Sequence, residues 1–269
     1  VTGGVGLALT NASNTFSGPI TINSGSLVVS DPGQLGTGTA PILVSGISAV
    51  SPLQPSGMLV FQGGGAGIAV NRAITISGRG YGSNNNTALL SIGSNTFGGV
   101  ITAATANSDN RMIFASGNTT FGVGSTLNLG AAGTGVMMSG DGNVFLNGLV
   151  AQGSSGSNSF YRANLSQIQG TTILTNWNNN FISNFRLDSG YVRLSHGGQM
   201  GLDPSPTQLR GAGGTWDLRT DMPGSFSGVK MSMADGSINV MADRAVGGNA
   251  IGTQVQDAVT GMITYPSSS

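Results

Sequence analysis

The chain has 269 residues, among them no cysteine, no glutamate, one lysine (Lys230) and one histidine (His196). Without cysteine there can be no disulfide and no thiolate metal site. Without glutamate, and with so little lysine, the chain lacks the long charged side chains that exposed helices use, and its Gly, Ser, Thr and Asn are poor helix formers. Charged residues make up 7%, against about 25% in an ordinary globular domain. Ten acidic residues balance ten basic ones, with a calculated pI near 6.7. That balance leaves no electrostatic footprint for nucleic acid or an anionic membrane. No apolar run reaches the ~18 residues of a spanning helix, so no membrane span is expected. The opening VTGGVGLALT has neither an initiating Met nor a basic leader. It reads as a segment of something longer, processed or excised.

Glycine is plentiful, at 46 residues, and 38% of the chain is hydrophobic, too much for disorder. The apolar residues fall in short runs of period two: ITI (20–22), SLVVS (26–30), AITIS (73–77), TLNLG (126–130), FRLDS (185–189), YVRLS (191–195), TWDLR (215–219) and SINV (237–240). Alternation points Ile20 and Ile22, Leu27 and Val29, Ile74 and Ile76, Leu127 and Leu129, Phe185 and Leu187, and Trp216 and Leu218 inward. It points Thr21, Thr75, Asn128, Arg186, Asp217 and Asn239 toward water. Between the runs sit NSG, DSG, DPG, SGDG, ADG and GAGG, whose Gly and Asn accept the positive φ of sharp corners. Segments 37–57 and 79–87 break the rhythm and read as excursions. NWNNNF (176–181) reads as a corner where amides stack between turns.

Such a rhythm suits either a sandwich of hairpins or a coil of parallel strands. Internal repeats separate the two. Asn14, Phe16, Ser24, Gly25, Ser30, Gly33, Gln34 and Gly36 recur without a gap as Asn179, Phe181, Ser189, Gly190, Ser195, Gly198, Gln199 and Gly201, and SNTFSGPIT (13–21) returns as SNTFGGVIT (94–102). A sandwich has no reason to reuse one corner–strand–corner pattern. In a solenoid every turn buries its inner face on its neighbours and the pattern must recur. The expectation is an all-β parallel β-helix (β-solenoid) with twenty-odd residues per turn, as a single domain over 1–269.

The stretch LTNASNTFSGPITINSGSLVVSDPGQLGTG (9–38) resembles the autotransporter-associated β-strand repeat, also called the passenger-associated transport repeat. Asn14, Phe16 and Gly18 take that repeat's central motif and Ile20 and Ile22 its alternation. Gly25 and Leu27 take the next corner and strand, Leu35 and Gly36 the close. The copy at 179–201 keeps Phe181, Gly190, Val192, Met200 and Gly201 but has Ser183 in place of Gly18. SFSG (225–228) followed by VKMSMADGSINV is a more worn copy. The resemblance implies a right-handed parallel β-helix in a bacterial autotransporter passenger, at the outer cell surface or extracellular. It implies a structural or adhesive role without catalysis, and as partner a host or matrix surface or a polysaccharide. The alternatives are a filament subunit self-associating head to tail through its solenoid ends, and a carbohydrate-active β-helix enzyme.

Candidates for chemistry are sparse, and no catalytic, cofactor or metal residue is assigned. His196, beside Ser195 and near Asp188, aligns with Asp31 of the first copy and reads as a corner residue, because a triad needs a base oriented by a third group. Polysaccharide-cleaving sites use clustered carboxylates, and here the ten Asp are scattered. Asp217 and Asp221, beside Arg219, come nearest to a pair and read as a solvated strand edge. SGDGN (139–143) lacks the tandem calcium pattern. FQGGGAGIAV (61–70) lacks the Lys-Ser/Thr of a phosphate loop and reads as a turn between strands. The sequons at Asn11, Asn85, Asn118 and Asn164 are what chance supplies in a chain so rich in Asn, Ser and Thr.

Overall fold

The computed structural model describes residues 6–45, 56–77, 87–104, 110–130, 135–151, 158–162, 170–176, 178–180, 183–195, 199, 209–219, 231–241, 255–256 and 263–264. Among them there is no α-helix, and the strands pair in parallel apart from one short antiparallel pair, Val255–Gln256 with Ile263–Thr264. The chain winds as a β-solenoid whose strands stack in three ladders. The first ladder begins with Gly6–Ala8, Gly25–Val29 and Gly57–Val70. It continues through Leu89–Phe97, Asn110–Ser116, Gly135–Ser139, Asn158–Arg162, Ser183–Leu187, Leu209–Arg219 and Met231–Met241. Four of these, Gly57–Val70, Leu89–Phe97, Leu209–Arg219 and Met231–Met241, turn a corner and join the second ladder by their C-terminal halves. There they stack with Asn118–Phe121, Asn143–Leu146, Thr171–Leu174 and Tyr191–Leu194. The third ladder runs Ile20–Ile22, Ile42–Ser45, Ile74–Ser77, Val100–Ala103, Thr126–Asn128, Leu149–Ala151.

Register gives the length of a turn. Ile113 pairs with Met138, Met138 with Arg162 and Arg162 with Leu187, steps of twenty-five, twenty-four and twenty-five residues. This is the twenty-odd spacing expected from the repeats. Alternation then becomes packing, because each inward residue lies on the inward residue of the next turn. Ile20, Ile42, Ile74, Ile101, Leu127 and Val150 form one such stack, and Ile22, Val44, Ile76 and Ala103 another. All but Ile20 are buried; Ile20, in the first turn, is only partly covered. Phe61, Phe97 and Phe121 fill the centre, with ring centroids 5.3 and 5.5 Å apart. Thr21 is exposed and Thr75 and Asn128 half-buried, as alternation requires. The side chains of Phe185, Arg186 and Asn239 lie outside the described residues.

The corner between the first and second ladders is built of glycine. Gly93 takes φ +82°, and a Cβ there would sit 2.5 Å from the Gly64 carbonyl oxygen. At Gly142 a Cβ would collide with the Gly117 carbonyl of the preceding turn. Backbone bonds across this corner follow one another up the coil: Asn143 donates to the Gly117 carbonyl (2.8 Å), Gly170 to Gly140 (3.2 Å), Tyr191 to Gly170 (3.3 Å) and Thr215 to Gly190 (2.9 Å).

Two excursions expected from the sequence resolve differently. Within 37–57, Ile42–Ser45 is a full member of the third ladder, with Ile42 and Val44 buried. Pro41 precedes its first residue, a position where proline removes no ladder bond. Residues 46–55 and 78–86 lie outside the described residues. FQGGGAGIAV is not a turn between strands but one bent strand, whose register shifts between Gln62 and Gly64 and again between Gly64 and Ile68. The bend strands two backbone groups, and the buried Asn95 takes both. Its Oδ1 accepts from Ile68 N (3.3 Å), and its Nδ2 donates to Phe61 O (3.4 Å), Ile92 O (3.0 Å) and Ser91 Oγ (2.9 Å). Arg72 plays a similar part elsewhere, donating to the carbonyls of Ala40, Leu35 and Gly18. Burial lowers its pKa from the ordinary value.

Placing aspartate at Ile22 or Leu27, both buried, puts an unpaired charge in the core and is expected to cost several kcal/mol. Thr21→Asp, on an exposed position, should stay within about 0.5 kcal/mol of the parent. Thermal unfolding of the three variants measures this; equal losses at all three would contradict the register.

Candidate functional site

The element that recurs most faithfully is a hydrogen-bonded corner. In the first copy, Gln34 Oε1 accepts from the backbone N–H groups of Ser30 (2.7 Å) and Asp31 (3.2 Å), and its Nε2 donates to Ser30 Oγ (3.1 Å). Asn14 Nδ2 closes the corner on the Gln34 carbonyl at 3.0 Å. In the second copy Gln199 accepts from Ser195 N (2.7 Å), donates to Ser195 Oγ (2.8 Å), and receives Asn179 Nδ2 on its carbonyl (2.8 Å). Asn179 Oδ1 also accepts from Val150 N at 2.8 Å, so one buried amide ties a strand of the turn before it to a corner of the turn after it. An Asn of 176–181 thus sits in a corner as expected, but its amide bonds backbone groups of the adjoining turns instead of stacking on other side-chain amides. The glycines of the repeat serve it too, since Gly25 and Gly190 take φ +73° and +82°. A Cβ at Gly18 would meet nothing within 4 Å, so that position of the first copy has room for a larger residue.

The two copies do not occupy the same face. Ile20–Ile22 lies in the third ladder and Gly25–Val29 in the first, whereas Ser183–Leu187 lies in the first and Tyr191–Leu194 in the second. The repeated unit is therefore a corner device used one face further round. The shorter repeat is in phase: Ile20 and Ile101 belong to one stack. Its Asn and Phe nevertheless differ in environment, with Phe16 41% exposed and Phe97 buried in the aromatic stack.

These bonds bear on the chemical candidates. The hydroxyl of Ser195 is engaged by Gln199, as that of Ser30 is by Gln34. His196 lies outside the described residues. Its counterpart Asp31 caps the short 3-10 turn Pro32–Leu35, accepting from Gly33 N at 2.8 Å. Asp141 of SGDGN is exposed, and among the described residues no group of three or more His, Cys, Asp or Glu could hold a metal.

Asp217 departs from expectation. It is not a solvated edge residue: although it points outward it is only 6% exposed, because two arginines lie against it. Arg193 Nε donates to Oδ2 at 2.8 Å, and Arg219 Nε to Oδ1 and Oδ2 at 3.0 and 2.9 Å. Asp221 lies outside the described residues. Parallel register sets Arg193 directly beside Asp217 and Tyr191 beside Thr215. Ile173 precedes Arg193, and Phe145 precedes Ile173. Sequence reasoning passed over Arg193, which lies twenty-four residues before its partner. The signal that could have found it is the offset of one turn.

No protein-family model, no curated protein and no solved structure matches this chain.

The corner yields a graded expectation. Gln34→Ala strands two backbone donors, an expected cost of about 2–3 kcal/mol. Gln34→Glu keeps the acceptor, and the Ser30 hydroxyl can turn to donate, so most of the loss should be recovered. Chemical denaturation of both variants checks the order, and an equal loss for the two would refute this account of the corner.

Proposed function

We propose that the chain is part of a bacterial cell-surface or extracellular protein with a structural and adhesive role and no catalysis, of the autotransporter passenger kind. The observation that carries this reading is the stack itself. A dry, in-register interior fixes flat outer faces lined with hydroxyls and amides, as where Asn143 Nδ2 donates to Asn118 Oδ1 (3.1 Å) and Thr175 Oγ1 to Asn147 Oδ1 (2.9 Å). Such faces suit a stiff spacer that presents contacts at fixed intervals. The resemblance of residues 9–38 and 179–201 to the passenger repeat supports the location, and a cysteine-free chain suits export as an unfolded polypeptide. Antibody labelling of intact cells of the source organism is expected to stain the outer surface; signal confined to permeabilised cells would overturn the proposal.

A second reading, end-to-end self-association, is favoured by one observation. In the first described turn Leu7 is 60% exposed and Phe16 41% exposed. With Leu9, Pro19, Ile20 and Leu27 they border a mouth of about 480 Å³. Among the described residues the strand Gly6–Ala8 beside it pairs on one side only, a template for another strand. A second copy adding its last turn there would make a head-to-tail contact, which grows without closing. Association through backbone and apolar contacts should be insensitive to salt. Sedimentation at low and high ionic strength is expected to show larger species at raised concentration in both; a monomer throughout would exclude this reading.

A further inference from the structure

The outer side of the second ladder carries two arginines on one carboxylate, Arg193 and Arg219 on Asp217, beside the exposed Tyr191. Both arginines engage Asp217 through Nε alone, and among the described residues their Nη groups have no other hydrogen-bond partner. The guanidinium ends are accessible, with side-chain exposures of 38% for Arg193 and 30% for Arg219 against 9% for the carboxylate beneath them. Two cations over one anion leave a single net positive charge. The carboxylate holds the two forks in place, on strands about 4.8 Å apart. Much of the side-chain entropy a ligand would otherwise have to remove is already lost.

What flanks the forks is as specific. Tyr191 is 42% exposed and lies two residues before Arg193 on the same strand, so both point to the same side about 7 Å apart. Thr171 and Thr215 are its neighbours on the adjoining strands. Ile173 and Phe145, both half-buried, extend the row away from Arg193. An aromatic ring offers a face to the C–H side of a sugar, and a guanidinium fork matches a pair of oxygens of a carboxylate or sulfate.

We propose that this face binds an acidic polysaccharide, with Arg193 and Arg219 taking a uronate or sulfate group and Tyr191 packing against a sugar ring. The inference rests on the adhesive reading above and names its ligand class.

The test is titration of the full chain with polygalacturonate, dextran sulfate and neutral dextran, followed by calorimetry. Saturable binding to at least one acidic polymer and none to neutral dextran is expected, with weakening as salt is raised. The polymer that binds tells carboxylate from sulfate. Arg193→Lys keeps a cation on Asp217 but loses the fork, and Tyr191→Ala alters an exposed ring. Each should weaken binding about tenfold, the worth of one charge-assisted bond or one good ring contact, with an unchanged melting temperature. No saturable binding to either acidic polymer, or wild-type affinity in both variants, overturns the proposal. Surface labelling of cells is independent of this result, so a failed titration beside positive labelling removes the ligand and leaves the adhesive reading standing.

Discussion

At the corner between the first and second ladders, the backbone of each turn rests on the backbone of the turn before it, with no side chain between. Parallel strands can stay in register around that corner only if the bend itself keeps the inter-strand spacing of about 4.8 Å, and there a β-carbon would collide with a carbonyl beneath. Gly93, Gly117 and Gly142 meet that constraint in successive turns. Once it is met, the rest follows geometrically. Inward residues are held above inward residues, so Ile42 lies on Ile74, and Phe97 packs between Phe61 and Phe121. A displaced corner would move every stack it joins.

Regular stacking satisfies backbone groups within the ladders and leaves those at the bends to side chains. An orphaned buried donor or acceptor costs about 1–3 kcal/mol, and this chain meets the demand mainly with neutral amides. Asn95 serves the bent strand after Phe61, Gln34 and Gln199 serve their corners, and Asn179 joins a strand of the turn before it to a corner of the turn after it. An amide both donates and accepts without the desolvation penalty of a charge. The scarcity of charge and the abundance of Asn are thus one solution seen twice. Charged groups also serve, Asp31 at Gly33 N and Arg72 at three carbonyls from separate places along the chain.

Much of the fold was legible because its period is short. Alternation over three to five residues correctly placed Ile74, Ile76, Leu127 and Trp216 inside, and the recurrence of Gly25 as Gly190 marked a genuine corner with positive φ. What could not be read is the phase of one turn against another. The long copies lie 165 residues apart, which is not a whole number of turns of twenty-four or twenty-five residues, so the corner lands on a different face. The environment of Asp217 was hidden for the same reason, since alternation gives its direction and only register supplies Arg193 beside it. Likewise Asn14 and Asn95 share a local sequence, and only the coil beyond them decides that one tends a corner and the other a bend.

The transposed Asn–Ser–Gln corner also bears on how such a chain can change length. A device that works on two faces needs only a strand before it, a strand after it and a carbonyl to close upon. Gene duplication or deletion therefore need not respect whole turns, provided the glycine corner is restored further along. The coil can gain or lose a single side of its cross-section and rotate everything downstream onto a new face. Lineages of this architecture would then vary in which residues share a flank while keeping the same core, a way of reshuffling surface chemistry without redesigning the interior.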